Sequence, residues 1–205
     1  MNKLFLLLIT TLLVATACGG GKEKKDKSGS FSQAVANLAV EIKQADGTSI
    51  GRIDIKNSVV EIQYGSTKLV SEAKGEKRKY GSSAGEVALE VKHNEADKFK
   101  LRTADGNLIW KIKLDTDKIK VSDNEENNNP YQLKRGDNKI KVKDAAEVEL
   151  GDVQVKDGKV VVAAAGKSFV IESNQLSAAY GVLLMDKISD RDKFVIMAEL
   201  LAKGQ

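Results

Sequence analysis

Cysteine and histidine, the side chains whose ordinary titration lies nearest neutral pH, occur once each in this chain, as Cys18 and His93. A Ser-His-Asp triad would therefore rest wholly on His93, and a zinc site would lack its usual ligand set. His93 lies in Lys92-His93-Asn94-Glu95, a polar stretch that reads as an exposed turn. Ala165-Gly166-Lys167-Ser168 has the end of a phosphate-binding loop, but the first glycine of that pattern falls on Val161 and the segment after it is strand-like. The acid pairs Asp115 with Asp117 and Glu125 with Glu126 could hold calcium or act as acid and base. They stand in polar turns with no apolar surroundings, where carboxylates are expected to be solvated. The expectation is a protein that is not an enzyme, with no catalytic residue, no metal site and no cofactor.

The chemistry open to Cys18 is different. Lys3 gives a positive start, Leu4 to Val14 is apolar apart from Thr10 and Thr11, and Ala15-Thr16-Ala17 is a small-residue cleavage site. Cys18 stands where a bacterial lipoprotein signal puts its acylated residue, although Ala15 replaces the usual Leu and Ala-Thr-Ala also satisfies the ordinary cleavage rule. An unpaired thiol in an oxidising exported compartment would be a liability, so lipidation of Cys18 is the expectation. Residues 1–17 are then a signal peptide, 18–31 a glycine-, serine- and lysine-rich tether, and 32–205 one domain. This puts the protein in the cell envelope, anchored to membrane. Resemblance to lipoproteins without Asp after the cysteine implies the outer membrane if there are two.

Lysines supply the one polar cluster with unusual spacing. If Asp105-Gly106 turns a hairpin, Phe99 faces Ile112 and Leu101 faces Trp110, but Lys100 also faces Lys111 and Lys98 faces Lys113. A further turn at Thr116-Asp117 sets Lys113 against Lys120. Like charges directly opposite are unfavourable by a few tenths of a kcal/mol up to ~1 each. Lys98, Lys100, Lys111, Lys113 and Lys120 are thus a candidate anion site, for lipid head groups or an acidic partner. The plainer account is a solvated face that discourages edge pairing, or an incorrect register. By contrast, a turn at Asp144-Ala145-Ala146 sets Lys143 against Glu147 and Lys141 against Glu149. Nucleic acid is not an expected partner outside the cell, despite a net charge of +4.

The elements that hold these residues are mostly strands. Leu38, Val40 and Ile42 alternate with Ala39, Glu41 and Lys43. Asp46-Gly47 then offers two positive-φ positions, pairing Leu38 with Ile55, Val40 with Ile53 and Glu41 with Arg52. Similar stretches recur to Phe169–Ile171, with Leu69 to Tyr80 the poorest, giving about twelve strands spaced as in an antiparallel barrel. Asn174 to Ile188 is different. From Leu176 to Met185 it has no charge and is apolar all round, which marks a buried helix. It is shorter than the about 20 residues that a bilayer needs, so a sheet should surround it. Ser189 with Asp192 starts a last helix, Asp190 to Lys203, stopped by Gly204.

The run Phe99-Lys100-Leu101-Arg102-Thr103-Ala104-Asp105-Gly106-Asn107-Leu108-Ile109-Trp110-Lys111-Ile112, followed by short hairpins and the Leu176 to Met185 segment, resembles the tubby C-terminal-like superfamily. Within that group it is most similar to the LURP-one-related proteins, with phospholipid scramblases beside them. The resemblance spans Ser32 to Ile188 and implies a closed antiparallel barrel of about twelve strands around an apolar C-terminal helix. The additional terminal helix departs from the family, leaving open whether Leu176 or Phe194 begins the segment inside the barrel. No phosphoinositide or calcium motif of the family matches here. The expected function is a lipid-anchored binding or scaffolding module, possible partners being anionic lipid or an envelope protein. A phospholipid-binding or lipid-handling protein is the alternative, and a lipid-sized cavity beside the helix would favour it.

Overall fold

Alternation along the chain produces fourteen antiparallel strands in the computed structural model, which describes residues 37–82 and 84–205. Cys18, the signal segment and the tether lie outside the described residues. The strands are β1 (Asn37–Gln44), β2 (Ser49–Lys56), β3 (Val59–Tyr64), β4 (Thr67–Lys74), β5 (Lys77–Gly81), β6 (Val87–Glu95) and β7 (Lys98–Thr103). β8 (Leu108–Leu114), β9 (Lys118–Ser122), β10 (Tyr131–Arg135), β11 (Lys139–Lys143), β12 (Glu149–Lys156), β13 (Lys159–Ala164) and β14 (Lys167–Ile171) follow. They pair in chain order, and β1 closes the barrel on β14 through Ile42 opposite Ile171.

Two strands more than expected arise chiefly because Leu69 to Tyr80 is a hairpin. Apart from the inward-facing Arg78 its charged residues lie on the outer face, with Glu72 opposite Lys79, while Gly75 turns the chain at φ +61°. The β1–β2 register is as expected, with Leu38 opposite Ile55 and Glu41 opposite Arg52. Its turn is not. Only Gly47 has positive φ, and the four-residue loop is held by Asp46 Oδ1 accepting from Thr48 N at 2.8 Å. Asp157-Gly158 does have both residues at positive φ. The hairpin after β11 also differs from expectation. Its loop extends to Val148, so Lys143 faces Glu149 and Lys141 faces Asp152, although Lys141 Nζ still meets Glu149 at 2.9 Å as expected.

Up-and-down order sorts the connections into two ends. The turns after β1, β3 and β13 are at one end, here the upper. The start of β1, the exit from β14 and the turns after β6 and β8 are at the lower end. From β14 the chain turns inward as a 3₁₀ helix, Ala178–Leu184, buried at all seven positions and packed against β10 to β13. It emerges at the top, where the Tyr131 hydroxyl donates to Asp186 at 2.6 Å. α1 (Asp190–Ala202) then descends, and Ser189 caps it by accepting from Asp192 N at 3.2 Å. Lys203 Nζ reaches the carbonyl of Ala96 at the bottom.

The interior segment is therefore a hairpin of two helices. The expected helix over Asn174–Ile188 is shortened to a 3₁₀ turn of seven residues, and both candidate starts, Leu176 and Phe194, lead into inner segments. Gly181 shows how tightly the first is held: a Cβ there would stand 2.6 Å from Leu133 Cδ2 and 2.9 Å from Val142 Cγ2. α1 is buried without interruption from Phe194 to Leu201, but that run includes Glu199, so it is not a purely apolar rod. Among the described residues no helix is long and apolar enough to cross a membrane.

Candidate functional site

Lys98, Lys100, Lys111, Lys113 and Lys120 do share the outer wall in the expected register. Lys98 faces Lys113, Lys100 faces Lys111 and Lys113 faces Lys120. Lysine rows continue on both sides, Lys77 opposite Lys92, Lys92 opposite Lys100, and Lys134 opposite both Lys118 and Lys141. From Lys98 to Lys143 there are twelve basic and seven acidic residues, whereas the other described residues hold sixteen basic and twenty acidic. The barrel is thus electrically two-sided.

Repulsion across these rows is relieved by carboxylates that the flanking turns fold back over the wall. Glu125 lies 2.6 Å from Lys100 and 3.2 Å from Arg102, and its carbonyl accepts from Lys111. Asp115 stands between Lys113, at 3.2 Å, and Lys120, at 3.7 Å, and Glu95 is 2.8 Å from Lys98. The hydrogen bond from Lys100 holds the Glu125 carboxyl below its usual range. Burial pushes Asp115 up, but Lys113 and Lys120 outweigh it and the net direction is down. Asp115 and Glu125 are accordingly charge-paired, not free in solvent as their polar turns suggest. The five lysines form a compensated wall with a surplus of positive charge.

His93 is not in an exposed turn. It continues the inward alternation of Leu89 and Val91 on β6, is 2% exposed, and stacks on Phe99 with ring centroids 5.2 Å apart. Its Nε2 is 2.9 Å from Glu199 Oε2. Glu199 Oε1 accepts from the Tyr80 hydroxyl at 2.5 Å and lies 3.2 Å from Arg78 Nε. Arg78 also donates to the Ser58 carbonyl at 2.9 Å. Burial pushes Glu199 up, yet the hydrogen bond from His93 and the Arg78 charge more than offset it, so its carboxyl is held low. A carboxylate only accepts, so the His93 nitrogen facing it carries a proton. The Tyr80 hydroxyl is pushed well up by burial, then by the Glu199 charge. Tyr80, Arg78, His93 and Glu199 are each at most 2% exposed, and together they join α1 to β5 and β6.

A third feature is a cleft of about 620 Å³ at the upper end, between the β1–β2, β3–β4 and β13–β14 turns and the start of α1. Phe194 reaches it because Gly51 has no side chain; a Cβ there would be 2.3 Å from Phe194 Cζ. The ring stacks on Tyr64 at 5.4 Å. The Gly166-Lys167-Ser168 segment contributes to the rim as a strand turn, with Gly166 at φ +73°. Among the described residues, no group of three His, Cys, Asp or Glu side chains is placed to hold a metal. Neither a scan against models of known protein families nor a search of curated proteins returned a match to this chain.

Proposed function

We propose that this is a non-enzymatic cell-envelope protein, anchored to membrane by an acylated Cys18, whose tubby-like barrel serves as a binding or scaffolding module. The observation that carries this reading is the filled interior. Two inner helices with residues 0% exposed, among them Val182, Ile196 and Ala198, occupy the space a carried lipid would need. Such a body offers its partner an outer surface. Both the start of β1 and the C-terminus are at the lower end, opposite the upper cleft. The basic wall supports the second reading, a phospholipid-binding protein, through its surplus of lysine over acid.

One experiment tests both. Full-length protein and a Cys18→Ala variant are partitioned in detergent, then the variant is mixed with vesicles carrying fluorescent phospholipid and unlabelled acceptors. The module reading expects detergent partition that depends on Cys18, and no lipid transfer. Transfer at a rate above buffer would replace it with lipid handling, and aqueous partition of the fully processed wild type would remove the anchor. Low-salt retention on anionic vesicles that falls in Lys100→Glu would assign the wall to lipid head groups, since surface charge acts within about 10 Å at 0.1 M salt.

A further inference from the structure

We propose that the upper cleft is a binding site for a small amphipathic anion, an apolar carboxylate whose hydrophobic part covers Ile50, Tyr64 and Phe169 and whose charge meets Lys167. The cleft, at about 620 Å³, has the size of small-molecule sites, which run to roughly 300–1,000 Å³ and combine apolar lining with a few polar groups. Its apolar surface is built in. Phe169 and Tyr64 are the uppermost apolar residues of the inward-facing rows of β14 and β3, and both remain partly exposed where the residues below them are covered. Ile50 is the extra residue of a bulge, left between the pairs Ile42 with Gly51 and Lys43 with Ser49. A bulge of this kind re-aims a side chain.

The charge is placed by the same register. Lys167 is two residues before Phe169 on β14, so the two share a face at a spacing of about 6.6 Å along the strand, and Lys167 lines the cleft. Nearby carboxylates are engaged. Asp46 accepts from Thr48 N at 2.8 Å and Asp190 Oδ1 is 3.6 Å from Lys193 Nζ. Lys167 and the Tyr64 hydroxyl have no protein partner among the described residues. An apolar floor with one unpaired lysine at its rim is complementary to an apolar acid.

The test uses the acylated full chain in nanodiscs with 13C-labelled methyl groups, titrated with 2-naphthoate and, separately, with neutral 2-naphthylmethanol, against empty discs. Naphthoate should shift the Ile50 and Leu183 methyl signals. Lys167→Gln should weaken it about tenfold, the scale of one charge-assisted hydrogen bond, with the alcohol unchanged, and Lys159→Gln should bind as wild type. Equal naphthoate binding by Lys167→Gln overturns the proposal. So does alcohol binding as tight as that of the carboxylate, or an absence of shifts at Ile50 and Leu183 up to the solubility of the probe.

Discussion

The two halves of the barrel interior are filled in opposite ways. On the side of β10 to β13 the body of the 3₁₀ helix is held by close apolar contact, Gly181 lying flush against Leu133, Val142 and Val153. On the side of β5 and β6, α1 is held by charge: Glu199 receives Tyr80, Arg78 and His93. Apolar contact is tolerant of sliding, whereas a carboxylate with three buried partners has one satisfied position. The contrast teaches that one half supplies adhesion and the other the depth and rotation at which α1 sits.

Removing the charge should have the largest effect. Glu199→Ala leaves Arg78 buried without its ion partner and should lower stability by about 3 to 5 kcal/mol, read from urea unfolding. Replacing Arg78, His93 and Glu199 together by apolar residues should recover much of that loss while broadening the NMR signals of α1, because adhesion would be restored without the positioning. If the triple variant is as well ordered as wild type, the division of labour between the halves is wrong.

On the apolar side the expected effect is smaller. Gly181→Ala forces a methyl group against Leu133 and Val142 and should cost about 1 to 3 kcal/mol, with the α1 signals unmoved. A shift of the Glu199 surroundings in that variant would show that the halves are mechanically coupled. The smallest effect belongs to the outer wall. Glu125→Gln, which removes one partly exposed carboxylate from Lys100 and Arg102, should destabilise by less than ~1 kcal/mol, and the loss should shrink in salt. Lys100→Glu should not stabilise the wall, because the new carboxylate would meet Glu125.

What the sequence revealed follows this division. The β7–β8 lysine register was legible because Asp105-Gly106 marks the turn and the alternation on either side allows one pairing. The apolar run Leu176 to Met185 announced burial, though not that seven of its residues would coil as 3₁₀. The ionic cluster was hidden. Arg78 occupies an inward position on a strand whose charges otherwise point out, and His93 stands between the polar residues Lys92 and Asn94. The signal available was the step of two from Leu89 and Val91 to His93. Nothing local joins Tyr80 to Glu199, 119 residues away.

Carbon-detected titration of the Glu199 carboxyl tests the central claim, that α1 is locked inside the barrel by a paired charge. A carboxyl held low on folding contributes stability above its unfolded value, near 4.5, and that stability is lost as pH falls through the folded value. The account predicts a Glu199 side chain that is ionised at neutral pH and has a midpoint below 4.5, with unfolding favoured on the acid side of it. A carboxyl that stays protonated at neutral pH, or titrates above 4.5, would contradict it.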